Sequence, residues 1–389
     1  MQPACDLSFC IPTYNFAAFI GETLDSIIQQ ADDRVQIVIV DGGSTDNTAQ
    51  IVAEKARSFP NIKFIQRPQR CGVDLDILES VAQADGEFCW LFSSDDLLAP
   101  GAVAFLRRQM QDDWNVFLTN FQVCDLNMQR LERHRIIDVE SLATFDWSDS
   151  AERSQYLALA ETTTAFFSFI SGIVVRRSSW NSVPQQTEFV GSCWIIAAQL
   201  FALARDRLTV RYNPGELVLK RGGNDSFMSG GIVNRMALSI DGFRRVAEHY
   251  FGAGSPEARQ VSRVLKHEYF LLFMVIHKLQ IDERLDPALV QKFDALARRH
   301  YSDGLFQDFL SRNIVLVPNR GLRTLLWFHH RIKPLRRVGR VLLSQLKKWT
   351  IPFQRAISSP PAEQAERDGP HFEQVAKAGK LAGVKEPIS

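Results

Sequence analysis

Three apolar runs occur within the first hundred residues, and each of them ends in a polar cluster. The first run, residues 7–11, is followed by Pro12-Thr13-Tyr14-Asn15. The second run, residues 35–40, is followed by Asp41-Gly42-Gly43-Ser44-Thr45-Asp46, and the third, residues 88–92, by Ser93-Ser94-Asp95-Asp96. Apolar residues at helical spacing separate the runs, which predicts right-handed strand–helix–strand units and an α/β fold with a mainly parallel sheet. In such a sheet, ligands bind beyond the carboxyl ends of the strands. The sequence therefore predicts one crevice that all three clusters line.

The composition excludes several classes of protein. A chain of 389 residues with 46% hydrophobic and 23% charged residues is typical of a globular protein with one large domain and a smaller one. The net charge of +1 argues against a dedicated nucleic-acid binder. The six cysteines form no CxxC pair, which argues against a zinc site or a disulfide framework and favours a reducing, cytoplasmic compartment. No signal peptide and no membrane-spanning run of about 20 apolar residues is recognisable.

Three regions are predicted along the chain. Residues 1–230 alternate strand and helix patterns and are expected to form the catalytic domain. Residues 231–350 are mostly of helical periodicity, which predicts a helical C-terminal extension. Beyond residue 351 the composition shifts to Pro, Ser, Ala, Glu and Lys, which predicts a disordered tail over 351–389. Within the first region, 125–153 is expected to be irregular, 162–175 to form strands, and 208–212 to form a short edge strand.

The three clusters resemble, in order and spacing, the motifs of family 2 glycosyltransferases. The resemblance covers roughly residues 5–225 and implies a GT-A fold, a Rossmann-like sheet flanked by helices, and a nucleotide-sugar donor. Further similarity is found at Val73-Asp74, at 90–96 and in the loop Arg221–Ser226. These segments look particularly like the abequosyltransferase-type subgroup, whose members add a dideoxyhexose to a lipid-linked O-antigen intermediate.

The first two clusters are the predicted donor site. By resemblance, Pro12, Thr13, Tyr14, Asn15 and Asp41 line the nucleoside pocket. Asp41, at a strand end, can accept a hydrogen bond from a base edge or a ribose hydroxyl. The glycines that follow, including Gly43 before Ser44, allow the backbone to approach the ligand closely. An ordinary strand–helix turn is the alternative, because Asp-Gly-Gly-Ser also favours turns.

The third cluster occupies the position of the family's DXD motif, which implies a divalent metal such as Mg²⁺ or Mn²⁺. Carboxylates and phosphate oxygens are the ligands that such ions prefer. Ser93 stands where the first aspartate is usual, so Asp95 is the expected metal ligand. Asp96 is expected to support the sugar or the metal, and Ser94 to contact the donor. The alternative is a solvated loop, or a cap for the helix after Pro100.

Four more residues are predicted to contact the donor. Asp74 and Asp76 can accept hydrogen bonds from sugar hydroxyls, and Arg70 can face a phosphate. Asp74 can equally cap the helix that begins near Leu75. Arg221, in a glycine-rich loop after a strand, is the expected partner of the diphosphate, unless that loop is a plain surface hairpin.

No motif in the sequence identifies the catalytic base. An inverting transfer needs a carboxylate that takes the proton of the acceptor hydroxyl. By resemblance this would be a Glu-Asp pair at a helix start, but the corresponding stretch, 188–194, has no such pair. Glu188 is the nearest carboxylate and the first candidate, and Asp96 is the second.

The C-terminal part is strongly basic. Residues 309–362 contain no Asp or Glu but eleven Arg and Lys. The apolar positions Leu335, Val338, Leu342, Leu346 and Trp349 share one face of a predicted helix, and the cations lie largely off it. This pattern predicts a helix in a membrane interface, on the inner face of the cytoplasmic membrane. A polyprenyl-linked saccharide acceptor would explain it, whereas a basic face packed on the catalytic domain is the alternative.

These observations predict an inverting, metal-assisted glycosyltransferase of surface polysaccharide (O-antigen) biosynthesis, and the closer resemblance implies transfer of abequose or another dideoxyhexose. Two alternatives stay open: a rhamnosyl- or hexosyltransferase of the same pathway, and a non-catalytic sugar-nucleotide or membrane-docking protein. A dehydrogenase is disfavoured, because the first strand is not followed by a GxGxxG turn.

Overall fold

The computed structural model describes residues 5–204, 207–281, 286–304, 306–319, 321, 322 and 324. The strands are β1 (Leu7–Thr13), β2 (Val35–Asp41), β3 (Ile62–Gln66), β4 (Phe88–Leu91), β5 (Leu97–Leu98), β6 (Val116–Cys124), β7 (Arg130–His134), β8 (Ala143–Asp146), β9 (Ile173–Arg176) and β10 (Thr209–Lys220). The helices of the first 204 residues are α1 (Ile20–Ile28), α2 (Thr48–Ser58), α3 (Val73–Ala82), α4 (Ala102–Gln109), α5 (Ser150–Leu159), α6 (Arg177–Trp180) and α7 (Ile195–Leu203). Five more follow β10, namely α8 (Gly231–Phe251), α9 (Pro256–Glu268), α10 (Leu271–Gln280), α11 (Pro287–His300) and α12 (Phe306–Val315).

One mixed sheet forms the centre of the protein, in the order β3-β2-β1-β4-β9-β6-β10-β5, with β7 beside β6 and β8 beside β10. The four strands β3, β2, β1 and β4 are parallel, whereas β9 runs antiparallel to both of its neighbours. The predicted α/β fold with helices around a central sheet is confirmed. Strands β6 and β10 are also parallel to each other, and the three polar clusters follow strands of the parallel group β3, β2, β1 and β4.

The apolar runs form the core of this parallel group. All seven residues of β1 are buried, and the rings of Phe9 and Trp90 stack with centroids 5.3 Å apart between β1 and β4. Strands that are covered on both faces have continuous apolar runs, which is why these segments do not alternate polar and apolar residues. On one side, α1 contributes the buried side chains of Ile20, Leu24 and Ile27.

Three local predictions were wrong. The segment 125–153 contains β7, β8 and the start of α5 instead of irregular chain, and 162–175 is mostly 3-10 turns before β9. The expected edge strand 208–212 is the first part of β10, a twelve-residue strand that lies between β6 and β5. Its pairing with β6 is irregular between Asn213 and Val218, around Pro214-Gly215. Because the turn residues Pro214 and Gly215 interrupt it, β10 looks in the sequence like two short strands, 208–212 and 217–220, instead of one.

The helices after β10 share the core with the part of the chain that contains the sheet. The ring of Trp194, just before α7, lies 4.2 Å from that of Phe243 in α8, and its Nε1 donates to the Leu238 carbonyl at 2.9 Å. A Cβ at Gly242 would lie 2.0 Å from Trp194 Nε1, so the indole occupies the space that a larger residue would need. The predicted amphipathic basic helix, with its apolar positions from Leu335 to Trp349, and the predicted tail 351–389 lie outside the described residues. Within the described chain, no helix is both long and apolar enough to cross a bilayer.

Candidate active site

The strand register brings the three polar clusters to one edge of the sheet. Thr13 at the end of β1 pairs with Asp41 at the end of β2, and Cys10 of β1 pairs with Leu91 of β4. Neighbouring strands are about 4.8 Å apart, so the chain after β4 emerges roughly 10 Å from Asp41. The common crevice that the sequence predicted is therefore geometrically possible at the carboxyl ends of β1, β2 and β4.

Asp41 organises the turn between β2 and α2. Its side chain is buried; Oδ1 accepts hydrogen bonds from Ser44 N (2.9 Å) and Ser44 Oγ (2.6 Å). Oδ2 accepts one from Gln66 Nε2 at 3.1 Å. Ser44 Oγ in turn accepts from Asn15 N at 2.8 Å, which ties the loop after β1 to the loop after β2. The turn is thus built by the residues predicted to bind the nucleoside, whose contact with a ligand stays a prediction.

Two glycines in this turn are required by close contacts. Gly43 has φ +86°, a left-handed conformation that favours glycine, and a Cβ there would lie 3.3 Å from the Arg67 carbonyl. A Cβ at Gly42 would lie 3.0 Å from Asp76 Oδ2. The backbone of the turn therefore packs directly on β3 and α3.

Asp76 lies beneath the turn. Its Oδ1 accepts from Arg67 Nε at 2.6 Å, and burial raises the pKa of Asp76 to about 6 despite that guanidinium. With one oxygen on Arg67 and the other against Gly42, Asp76 supports the turn from below. Above it, the Arg70 guanidinium lies 4.3 Å from the centroid of the Tyr14 ring, a cation–π contact between two of the predicted donor residues.

Asp74 does not cap its own helix, which was the alternative to its predicted contact with the sugar. Its buried Oδ2 accepts hydrogen bonds from Gly191 N (2.7 Å) and Cys193 N (2.9 Å), in the loop before α7. It therefore holds that loop instead of capping its own helix, and burial raises its pKa. Its Oδ1 is buried with no hydrogen-bond partner among the described residues, so a contact with a sugar hydroxyl stays a prediction.

The two aspartates of the third cluster differ in exposure. Asp95 is half-buried; its Oδ1 accepts from the Ser93 hydroxyl, and its Oδ2 accepts from Asn224 Nδ2 at 2.5 Å. Asp96 is 2% exposed, and its two oxygens accept from Ser171 Oγ (2.6 Å) and Arg221 N (2.9 Å). Burial and the neighbouring charge of Asp95 raise the pKa of Asp96 to about 8.

These contacts correct the prediction for Asp96. A base or a metal ligand must reach substrate or ion, but both carboxylate oxygens of Asp96 are bonded to protein and shielded from solvent. Asp96 instead fixes the loop that carries Asp95 to Ser171 and to the end of β10. Ser94 is also buried, at 2% exposure, so its predicted donor contact would have to come from its backbone or from a rearranged loop.

Arg221 makes three hydrogen bonds to protein. It is 5% exposed; Nε donates to the Asp95 carbonyl (2.9 Å), and the terminal nitrogens donate to the Leu126 carbonyl (2.7 Å) and to Glu22 Oε2 (2.6 Å). Three of the five N–H groups of the guanidinium are thus used by protein, and a contact of the other two with a diphosphate stays a prediction. Its charge still lies beside Asp95, and its bonds hold the backbone there.

Glu188 lies away from the cluster, so its predicted role as the base is corrected. Its Oε1 is 3.1 Å from His249 Nε2, near the C-terminal end of α8. At the other end, Arg235 Nε binds Asp225 Oδ2 at 3.1 Å, next to the residue that contacts Asp95. Arg235 and His249 are almost four turns apart, roughly 21 Å along the helix axis. A carboxylate at that distance cannot take a proton from an acceptor held at Asp95.

Four further residues that were not predicted from the sequence contact the site residues or lie next to a residue that does. Arg67 follows β3 at the same edge of the sheet, so the rule on strand ends could have found it. Asn224 and Asp225 belong to the glycine-rich loop, but no local pattern shows that this loop lies against Asp95. Ser171 lies in a 3-10 turn before β9 and carries no motif.

The residues present fit a divalent metal only together with a diphosphate. No group of three or more His, Cys, Asp or Glu side chains suited to a metal ion occurs among the described residues. Mg²⁺ and Mn²⁺ at phosphate sites often use one or two carboxylates, with phosphates and water as the other ligands. Asp95, half-buried at the crevice, can supply one such carboxylate, whereas Asp96 cannot.

Comparison with known proteins agrees with this geometry. Residues 8–179 match the family described as Glycosyl transferase family 2. The abequosyltransferase RfbV of Salmonella typhimurium is 27% identical over 270 residues, which are 67% of this chain and 80% of RfbV. Glycosyltransferase GlyG of Streptococcus pneumoniae is 25% identical over 116 residues, 30% of this chain and 38% of GlyG.

Among solved structures, S. aureus TarS 1–349 in complex with UDP-GlcNAc aligns with a TM-score of 0.54 and 18% identity. The alignment covers 82% of this chain and 92% of that one, which supports a shared GT-A fold. The order of the strands, the three clusters at one sheet edge and the family match lead to one conclusion. The described chain has the GT-A fold, and its residues 8–179 form a domain similar to those of family 2 glycosyltransferases.

Proposed function

We propose that this glycosyltransferase transfers a sugar, with inversion, from a nucleotide-sugar to a lipid-linked saccharide of surface polysaccharide (O-antigen) biosynthesis. The similarity to RfbV over two thirds of the chain supports an abequosyl or other dideoxyhexosyl donor. A rhamnosyl or hexosyl donor of the same pathway is the second candidate. A non-catalytic docking protein, the remaining alternative from the sequence, is disfavoured by the similarity of residues 8–179 to a family of enzymes.

One observation carries the proposal. The turn built by Asp41, Ser44 and Asn15 and the half-buried carboxylate of Asp95 follow strands that are two positions apart in the sheet. A nucleoside in the first and a diphosphate at the second would place the sugar next to the loop after β10. The complex of TarS with UDP-GlcNAc supports a donor of this class, since the fold is shared.

Residues of the turn after β2 and of the third cluster would bind different parts of the donor. The turn after β2, supported by Asp76 and Arg67, would hold the nucleoside through backbone and side-chain hydrogen bonds. Asp95 would hold a divalent ion, Mg²⁺ or Mn²⁺, together with the diphosphate. When bound, such an ion neutralises the charge that develops on the departing nucleoside diphosphate. Asn224 and Ser93 would keep the carboxylate of Asp95 oriented toward it.

For the base we propose Asp225. It follows Asn224 in the loop that contacts Asp95, and its side chain is 34% exposed. Its Oδ1 accepts from Phe227 N at 2.9 Å and its Oδ2 from Arg235 Nε at 3.1 Å, which fixes the carboxylate in one orientation; unlike the buried Asp96, it keeps part of its surface open to an acceptor. Asp225 follows the residue that contacts Asp95 and so lies next to the proposed diphosphate site, which supports its assignment as the base.

We further propose that the protein acts at the inner face of the cytoplasmic membrane, because a polyprenyl-linked acceptor is confined to a bilayer. The eleven Arg and Lys of residues 309–362, without any Asp or Glu, support contact with anionic headgroups.

The test is a panel of nucleotide-sugars. Thermal stability is measured with each donor, with and without Mn²⁺, because a ligand that binds the folded state raises stability by mass action. The best donor is then offered with a polyprenyl-linked saccharide, and the anomeric configuration of the product is read by NMR. The proposal expects a metal-dependent shift with one class of donor and an inverted product. Retention of configuration, or a shift with no nucleotide-sugar at all, would refute it.

A further inference from the structure

Helix α12 presents its apolar side chains to solvent and buries a charged one. Phe306, Phe309, Leu310 and Ile314 are 74%, 53%, 44% and 38% exposed, whereas Asp308 is buried. At helical spacing these four residues, here called the α12 apolar face, lie on one side. Eight large apolar side chains are exposed within the described chain, and half of them are on this short helix. An ordinary surface helix has the opposite arrangement.

Ionic contacts fix this orientation. Asp308 Oδ2 accepts from Lys266 Nζ at 2.7 Å, and Lys266 also binds Asp303 at 2.6 Å. The Val315 carbonyl accepts from Lys278 Nζ at 2.8 Å, and the Lys278 side chain is 1% exposed. Rotation of α12 to bury its apolar face would separate Asp308 from Lys266 and the Val315 carbonyl from Lys278, and so break two contacts made below the surface. The fold therefore holds the face outward.

The surroundings of the face indicate what covers it. From residue 309 to residue 362 the chain has eleven Arg and Lys and no acidic residue. The Arg312 guanidinium lies 5.8 Å from the centroid of the Phe309 ring, so a cation is also present at the rim of the face. Apolar side chains next to a segment that carries positive charge and no acidic residue match a surface that is apolar inside and anionic outside, as an anionic phospholipid bilayer is.

We propose that α12 is a membrane-docking helix that inserts Phe306, Phe309, Leu310 and Ile314 into the headgroup region of an anionic bilayer. This inference rests on the proposed function, since it assigns to one helix the contact with the membrane where a lipid-linked acceptor resides. Because the helices after β10 share a core with α7, docking through α12 would also orient the active site relative to the bilayer.

The test uses the full chain and vesicles of phosphatidylcholine alone or with phosphatidylglycerol. The double variant Phe306→Ser/Leu310→Ser removes the centre of the face, and Leu142→Ser, at a residue 39% exposed on another part of the surface, is the matched control. We expect cosedimentation with anionic vesicles to weaken by about tenfold or more in the double variant and to stay unchanged in the control. Equal binding by the wild type and the double variant would overturn the inference.

Two further measurements test whether the rest of the chain or a second copy, instead of a bilayer, covers the α12 apolar face. Amide exchange in α12 should slow when anionic vesicles are added. Full protection before their addition would mean that the rest of the chain covers the face, and would overturn the inference. A wild-type dimer that the double variant converts to a monomer, without vesicle binding by either, would assign the face to a second copy and also overturn it.

Hydrolysis of a nucleotide-sugar without vesicles distinguishes this inference from the proposed function. A double variant that hydrolyses donor like the wild type but no longer binds vesicles supports the docking role. If the wild type binds vesicles through α12 but hydrolyses no donor, the docking role stands and the proposed function fails.

Discussion

Asn224 donates a hydrogen bond from Nδ2 to Oδ2 of Asp95 at 2.5 Å and so joins two loops whose residues are 129 positions apart in the chain. Three residues earlier, the buried Arg221 binds the backbone carbonyl of Asp95. The one carboxylate of the third cluster that is still partly exposed is therefore held through both its side chain and its backbone. Such preorganisation is expected of a group that must meet developing charge without moving.

Ser44→Ala should weaken binding of the donor. The substitution removes one hydrogen bond to Asp41 and the acceptor of Asn15 N, at about 1 kcal/mol each. We expect the KM for the nucleotide-sugar to rise roughly five- to thirtyfold, with a smaller change in kcat. Ser58→Ala, at the end of α2, is the control and should leave KM unchanged. An unaltered KM in Ser44→Ala would mean that the turn does not hold the donor.

Glu188→Gln and Asp225→Asn separate the two candidate bases. Because Glu188 is bound near His249 at the distant end of α8, its variant should retain wild-type kcat. Asp225→Asn should lower kcat by about 10² to 10⁴, the usual contribution of general base catalysis. Transfer rates under saturating donor give the comparison. Activity lost in Glu188→Gln and kept in Asp225→Asn would reverse the assignment.

Gly242→Ala should destabilise the protein, because the new Cβ would lie 2.0 Å from Trp194 Nε1. Overpacking of this kind typically costs 1–3 kcal/mol or more. Gly21→Ala is the matched helical control, since its Cβ would meet Ile51 at an ordinary 3.5 Å. That variant should be neutral, or stabilising by up to about 1 kcal/mol. Urea unfolding of both variants measures the difference, and equal stabilities would argue against the packing of α8 on Trp194.

Glu268 should make stability depend on pH. It is half-buried against Thr163, whose N donates to Oε1 at 2.6 Å, and the loss of hydration there raises the pKa of Glu268 from 4.5 to about 7. Between these values the folded state binds the proton more tightly than the unfolded state does. The contribution of Glu268 to the free energy of unfolding therefore falls as pH rises from about 4.5 to 7.

Glu268→Gln removes this titration. The free energy of unfolding of the variant, relative to the wild type, should increase by on the order of 3 kcal/mol between pH 4.5 and pH 8. Glu140→Gln, whose side chain is 81% exposed, is the control and should show no such trend. A difference between Glu268→Gln and the wild type that is independent of pH would contradict the assigned pKa.

The sequence predicted the parallel group of the sheet and the position of its polar edge because both follow from local patterns. Buried runs such as that of β2 end in turn residues, and parallel strands bring those ends together. The roles of Asp74, Asp96 and Arg221 could not be predicted in this way. Each has its partners in a distant segment, 191–193, Ser171 or Glu22, and only tertiary structure shows that these are near.

Glu188 and β10 show two further limits of local reasoning. Glu188 was a candidate because it lies shortly before a helix in the sequence. Residues 188–194 run along α8, with Glu188 at His249 and Trp194 at Leu238, and this direction places Glu188 at the end of α8 that is far from the site. Pro214-Gly215 is a strong turn signal, yet β10 continues through it, because pairing with β6 resumes on the other side. Tertiary contacts outweighed the local preference in both cases.

Asp95→Asn tests the central claim most directly, since Asp95 is the carboxylate assigned to the metal and diphosphate. The measurement is kcat/KM for hydrolysis or transfer from the best nucleotide-sugar with saturating Mn²⁺, for Asp95→Asn and for Asp138→Asn, an aspartate 60% exposed elsewhere on the surface. We expect a loss of about 10²-fold or more in Asp95→Asn and none in the control. Wild-type activity in Asp95→Asn would contradict the account.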